Sequence, residues 1–188
     1  MKVTAITVRA GNVLEHNGKL WIVLKSEIFQ PGKGASVVQV EMRDLRAGNK
    51  TNERFRTQET VERVSLDESE YAFLFADGDS FTFMNQETFE QISVLREVIG
   101  GPAHFLQDGM ICSIRTYEGQ PLEVTLPDTV TLRITEADAV VKGQTASSSY
   151  KPAMLENGVK TMVPPFVESG TRIVVKTADG SYVERAKD

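Results

Sequence analysis

Apolar and polar residues alternate in short runs along most of this chain, and turn-forming pairs separate the runs. Val13-Leu14, then His16-Asn17-Gly18, then Leu20-Trp21-Ile22-Val23-Leu24 predicts a β-hairpin. Asn-Gly suits its turn because a type I′ turn needs positive φ at both central positions. Two further strands, around Lys25–Phe29 and Val37–Met42, flank the segment Gln30–Ser36, and Asn52–Arg56 predicts another. Polar residues Ser65–Glu70 read as a separator. Tyr71–Phe75 and Ser80–Met84 then predict strands across the turn Ala76–Asp79, and Ile111–Tyr117 and Leu122–Leu126 predict strands across Glu118-Gly119. Short helices are expected from Glu87 to Ile92, capped by Asn85, and from Pro102 to Gln107. Val130–Thr135 and Arg172–Thr177 alternate as half-buried strands do, and Asn157-Gly158 and Asp179-Gly180 mark turns. So many short strands imply a mostly β chain of three small barrels: an SH3-like unit over residues 1–64 and two closed barrels over 65–127 and 128–188. Units of about 60 residues are small for independent domains, so neighbours are expected to support one another.

The totals narrow the class. No apolar run approaches the roughly 20 residues that span a bilayer, and Met1–Ala5 lacks the apolar segment of a signal peptide. A single cysteine, Cys112, cannot form an internal disulfide, so a cytoplasmic protein is expected. The net charge of −5 hides a gradient. Residues 1–64 carry 11 Lys/Arg against 7 Asp/Glu, residues 65–127 carry 2 against 11, and residues 128–188 carry 8 of each. A basic first third beside an acidic middle third suggests an oriented field, with the positive end seeking phosphate.

Catalytic chemistry is poorly supported. The two histidines, His16 beside a hairpin turn and His104 near Phe105, have no sequence signature tying them to Cys112. His16 is expected in solvent, and Cys112, in a predicted strand, is expected to be a buried small apolar residue. Metal-ligand spacings are absent. Pro31-Gly32-Lys33-Gly34 lacks the glycine spacing of a phosphate-binding P-loop and reads as a hairpin tip, with glycines that permit positive φ. Lys33 is its peculiarity, because small residues flank it and the two strands carry its amine away from the body. That suits an RNA contact or recognition by a modifying enzyme. The span Lys142–Pro152 reads as an exposed loop, either a linker or a backbone and hydroxyl surface for RNA with Lys142 and Lys151 as phosphate partners. Gly180–Arg185 is either a closing strand or a further RNA contact through Tyr182 and Arg185.

The strings Arg9-Ala10-Gly11-Asn12-Val13, Pro31-Gly32-Lys33-Gly34, Phe83-Met84-Asn85-Gln86-Glu87-Thr88, Val141-Lys142-Gly143-Gln144-Thr145-Ala146, Lys151-Pro152-Ala153 and Gly180-Ser181-Tyr182-Val183-Glu184-Arg185 occur in an order and spacing that resemble bacterial elongation factor P. The resemblance covers essentially the whole chain. It implies an SH3-like, KOW-type barrel followed by two OB-type barrels in an L shape similar to a tRNA. The hypusine-bearing initiation factor of eukaryotes and archaea looks like a relative without the third barrel.

The resemblance also implies a non-enzymatic factor, expected as a monomer off the membrane. Such a factor binds the ribosome between the peptidyl and exit sites and relieves stalling at consecutive prolines. Its implied partners are the ribosome, ribosomal RNA and peptidyl-tRNA, with Lys33 at the acceptor end. No cofactor or metal is implied. Family members extend the tip residue by β-lysylation, an aminopentanol group or a sugar on arginine. Lysine at 33 speaks against the last and leaves the others open, an unmodified tip and a modifying enzyme among them. The implied RNA contacts are Lys33, Lys142, Gly143, Gln144, Thr145, Lys151, Tyr182 and Arg185. Gln144 and Ser147-Ser148-Ser149-Tyr150 depart from the acidic and glycine residues some members carry in that loop, a departure that bears on codon preference. Basic residues of the first third, Lys25 and Arg54 among them, would add phosphate contacts. Two other classes remain open on the residues alone: a general RNA-binding protein indifferent to Lys33, and a small enzyme needing a convergent polar pocket.

Overall fold

A computed structural model describes residues 1–139 and 149–187, and the chain is mostly β. The strands form three antiparallel sheets. The first contains β1 (Lys2–Thr4), β2 (Val13–His16), β3 (Lys19–Phe29), β4 (Val37–Asp44), β5 (Lys50–Arg56) and β6 (Thr60–Val64) in the order β1-β6-β2-β3-β4-β5. The second contains β7 (Asp67–Asp77), β8 (Ser80–Asn85), β9 (Gln91–Leu95), β10 (Ile111–Tyr117) and β11 (Gln120–Thr125) in the order β11-β10-β7-β8-β9. The third contains β12 (Thr129–Ala137), β13 (Lys151–Leu155), β14 (Lys160–Val163), β15 (Arg172–Lys176) and β16 (Tyr182–Arg185) in the order β14-β13-β12-β15-β16. Two compact units result, one of Met1–Asp67 with Thr116–Leu122, the other of the remaining described residues.

In the first unit the β2–β3 turn follows from its residues. Asn17 and Gly18 have φ of 52° and 75°, the left-handed pair that the Asn-Gly sequence predicts. The sheet curls where the 3-10 turn Ala5–Thr7 bonds to the β5–β6 connection, with Ala5 N–H donating to the Glu59 carbonyl at 2.8 Å. Val8, Leu14, Trp21, Val23, Val38, Val40, Met42 and Phe55 fill the core. Arg9 is structural: its Nη1 donates to the carbonyls of Ile6 and Val8, and its N–H is held by Asn12 Oδ1. Asp44 is also buried, and its Oδ1 accepts the N–H groups of Arg46 and Ala47 at 2.8 and 3.1 Å.

Several expectations are corrected. Leu20–Leu24 and Lys25–Phe29 are one strand, β3, joined through a bulge. Asp67–Glu70 are not a loop but begin β7, and the two compact units divide within them, between Asp67 and Glu68; Glu68 accepts the Ser113 hydroxyl at 2.7 Å. Glu87–Ile92 is not a helix. Asn85 Oδ1 does cap Glu87 and Thr88, but Phe89 enters the left-handed region at φ 62° and ends the turn, so Gln91–Leu95 pairs with β8. Cross-strand pairing here overrides a local cap. The second expected helix is a 3-10 turn, Gly101–Phe105, preceded by one α-helical turn, α1 (Arg96–Ile99). His16 is half-buried, its ring edge-on to Phe55 at 5.6 Å.

The second and third sheets share one continuous core running from Tyr71 through Phe83, Ile114 and Leu132 to Val175. The Gly101–Phe105 turn joins them. Asn157 Nδ2 donates to the His104 carbonyl at 2.9 Å, and the Phe105 ring lies against Gly180. A Cβ at Gly180 would stand 2.9 Å from Phe105 Cζ, and the residue has φ +75°, so this position needs glycine twice over. The third sheet closes on itself where the Thr161 hydroxyl of β14 donates to the Gly180 carbonyl at 2.6 Å.

Two outcomes follow. Gly158 also has a left-handed φ, of +84°, but open space around it. Gly158→Ala should cost about 1 kcal/mol, from backbone strain alone. Gly180→Ala should cost about 2–4 kcal/mol, since crowding adds to strain. Equal losses in denaturant titrations would contradict the close approach of Phe105. The second outcome concerns Asp44, whose carboxyl the two N–H groups and Lys19 hold below its ordinary value of 3.8. A group lowered on folding stabilises above its unfolded value, and that contribution fades as pH falls through the folded one. The melting-temperature advantage of the native protein over Asp44→Asn should therefore be full at pH 7 and shrink below about pH 4. A difference that stays flat from pH 7 to pH 3 would refute this.

Candidate functional site

The β3–β4 hairpin positions Lys33. Before the bulge, Trp21 and Val23 oppose Asp44 and Met42. Beyond it, Ser26 and Ile28 oppose Val40 and Val38. The partner residues on β4 keep one parity while β3 changes from odd to even, because Leu24 is the extra residue. Without that shift Lys25 and Glu27 would turn toward the core. Instead they lie on the outward face, where Lys25 Nζ meets Glu27 Oε1 at 2.7 Å. This pairing raises the Lys25 pKa, through the hydrogen bond first and the charge of Glu27 second. Lys25 is therefore already engaged. Arg54 shares the outward face opposite Gln39, and Arg56 lies opposite Val37, next to Phe29.

The strands deliver residues 30–36 as an exposed loop whose end is tied by Thr57 N–H to the Ser36 carbonyl at 3.3 Å. Pro31, Gly32, Lys33 and Gly34 are all exposed. Only Gly34 uses the glycine freedom expected of both, with φ of +122°, while Gly32 lies in open space outside the left-handed region. Lys33 makes no hydrogen bond or ion pair among the described residues. Ile28 and Phe29, 50% and 44% exposed, put apolar surface at the loop's base, which charge and spacing had not flagged.

The other predicted contacts lie on the third sheet. Tyr182 and Arg185 are three apart and would face opposite ways in a regular strand. A register shift between Val174 and Val175 sets Tyr182 opposite Val175 and Arg185 opposite Ile173, so both lie on one face. Tyr182 meets Tyr150 edge-on at 6.3 Å, and burial pushes its hydroxyl pKa up. The Arg185 guanidinium sits over the Phe166 ring at 5.1 Å, an aromatic that no periodicity marked. Lys151 Nζ donates to the Asp138 carbonyl, so its amine is engaged. Lys142, Gly143, Gln144 and Thr145 lie outside the described residues.

Nothing resembling a catalytic centre assembles among the described residues. Cys112 is buried in the shared core, where desolvation pushes its thiol up to about 11. His16 belongs to the other unit and stands 3.8 Å from Glu53 Oε1. The described residues contain no group of three His, Cys, Asp or Glu able to hold a metal and no helix long and apolar enough to cross a membrane.

Comparison with known proteins accounts for the whole length. Three family models match in succession: "Elongation factor P (EF-P) KOW-like domain" over residues 4–61, "Elongation factor P (EF-P) OB domain" over 66–124 and "Elongation factor P, C-terminal" over 130–185. The chain is 61% identical over 188 residues to Elongation factor P of Rhodospirillum centenum, covering all of both chains. It is 58% identical over 188 residues to that of Gluconobacter oxydans, again covering both completely. Among solved structures it is similar in fold to "Eukaryotic translation initiation factor 5A from Methanococcus jannaschii", with a TM-score of 0.53 at 20% identity over 67% of this chain and 92% of that one. With every sheet matched by a model of one family and full-length relatives at this identity, the chain belongs to the elongation factor P family of bacterial translation elongation factors.

Proposed function

We propose that this chain binds the ribosome between the peptidyl and exit sites and speeds peptide-bond formation at consecutive prolines by ordering the acceptor end of the peptidyl-tRNA. The observation that carries the proposal is Lys33: an exposed cation with no partner among the described residues, at the end of a hairpin whose base is anchored in the core. Such an amine is available to a phosphate or to a modifying enzyme. Proline's ring restrains the geometry of both donor and acceptor. A factor that holds the acceptor end lowers the entropy lost in reaching the reactive pose. The bond is made by the ribosome, so the factor needs no catalytic residues and no cofactor. A β-lysyl or similar amine-bearing group on Lys33 would extend its reach.

The contacts to ribosomal RNA are assigned to Lys142, Gly143, Gln144, Thr145, Lys151, Tyr182 and Arg185, and the protein acts as a cytoplasmic monomer. We also propose three domains, 1–64, 65–127 and 128–188. Three separate sheets support that division, while the core shared by the last two predicts that they unfold together.

Lys33→Ala should leave the melting curve within about 0.5 kcal/mol of the native protein, because an exposed tip side chain has little packing to lose. In reconstituted translation it should impair a reporter with consecutive prolines and spare a proline-free control. Lys33→Arg keeps the charge and removes the primary amine. Poor rescue by arginine would assign the role to the amine or its modification, and full rescue would assign it to charge. Normal proline-run synthesis by a folded Lys33→Ala protein would refute the proposal.

A further inference from the structure

The outward face of the third sheet carries two arginines with no ion pair among the described residues. β12 and β15 pair antiparallel with Arg133 opposite Arg172, so two guanidinium groups leave neighbouring strands at one level and on one face. Like charges placed directly opposite one another destabilise a sheet. Both side chains are exposed, and neither guanidinium has a hydrogen bond or ion pair among the described residues. The acid beside them, Glu156, sits at Arg133, with Oε1 accepting its backbone N–H at 2.9 Å, and forms no ion pair with either guanidinium among the described residues.

Past β15 the cations change face: Arg185, opposite the buried Ile173, leaves β16 on the other side of the sheet from Arg172, and the two meet only at the sheet's end. The Arg172 carbonyl accepts Ala186 N–H at 2.9 Å, which keeps the residues after β16 against the sheet. A concavity of about 680 Å³ opens there, lined by Gly170, Thr171, Arg172, Glu184, Arg185 and Lys187, together with Ala186. Three cationic residues and one acidic residue border it. Arg185 is steadied over Phe166, whose ring is still 55% exposed.

We propose that Arg133 and Arg172 bind the phosphate backbone of an RNA strand, which rounds the end of the sheet through the concavity shared by Arg172, Arg185 and Lys187. The proposal rests on the reading that this chain works on the ribosome. Charge complementarity selects the ligand. Paired planar guanidinium forks suit phosphate oxygens, which they can hold two at a time. The exposed Phe166 under Arg185 offers a stacking face that a base can use and an acidic peptide does not need. The like-charge pair is then a feature whose cost in the free protein is offset on binding.

The test titrates full-length Arg133→Ala, Arg172→Ala and the double variant onto ribosomes at several salt concentrations. Each single change should weaken binding about three- to tenfold at moderate salt, and the double should flatten the dependence of log affinity on log salt by about two. Melting temperatures should stay equal or rise, because repulsion is relieved. Unchanged affinity and slope in the double variant overturn the proposal, as does a fall in melting temperature large enough to account for the lost binding. A photo-crosslinking residue at position 172 should label RNA, and labelling of protein alone also overturns it. Lys33→Ala separates this site from the tip. If that variant supports normal proline-run synthesis while the arginine variants bind weakly, the tip assignment fails and this one stands. If Lys33→Ala loses proline-run synthesis while the arginine variants bind normally, the reverse holds. Absence of any ribosome binding by the native chain removes the reading beneath both.

Discussion

The pairing of β3 with β4, and the single extra residue at Leu24 within it, governs what the first unit can present to a partner. A strand has period two, so a strand that begins with Trp21 and Val23 in the core would continue with Lys25 and Glu27 there. The bulge moves both charges to the outward face, where they pair with each other, and leaves Ser26 and Ile28 opposite the buried Val40 and Val38. Trp21 through Phe29 thus stay in one ladder from the core to the loop, with Leu24 alone unpaired. Lys33 is held by a framework rather than by contacts of its own.

The second unit rests on a different constraint, a close approach. Phe105 reaches Gly180, and the backbone of the third sheet passes where no Cβ fits. Asn157 reaches back to the His104 carbonyl, and the Thr177 hydroxyl donates to the Pro127 carbonyl at 2.6 Å. Two small sheets that would each be marginal alone share one apolar interior in this way. The middle third can then carry a surplus of acidic side chains on its surface without weakening its core.

Charge on this protein divides into cations the fold uses and cations it leaves free. Arg9 holds carbonyls of its own loop, Lys25 meets Glu27, and Lys50 stands 3.7 Å from Glu41. Lys33, Arg133 and Arg172 have no such partner among the described residues. An ion pair at the surface adds little stability, so occupied cations say little about function. Unoccupied ones, at a tip or opposite one another on adjacent strands, locate where a phosphate would be favourable.

Much of this was legible in the residues. Asn17-Gly18 specifies its turn because few other residues tolerate positive φ at both positions, Gly119 marks another turn in which Glu118 is also drawn to φ 50°, and alternation placed most strands to within a few residues. The burial of Cys112 and the exposure of Lys33 followed from local pattern, and the order of short strings pointed to the family. What local pattern could not carry was register. Two separate strands became β3, a capped turn at Asn85 became the entry to β9, and Tyr182 and Arg185 came to share a face, each through pairing with a strand distant along the chain or through a one-residue shift. The meeting of Arg133 with Arg172, of Arg185 with Phe166 and of Phe105 with Gly180 joins residues far apart in sequence. The sequence by itself determined the turns, the alternation and the exposed lysine, because these depend on the conformational limits and polarity of neighbouring residues. The tertiary structure alone decided which faces those residues share, because a one-residue shift in a strand reverses every side chain beyond it.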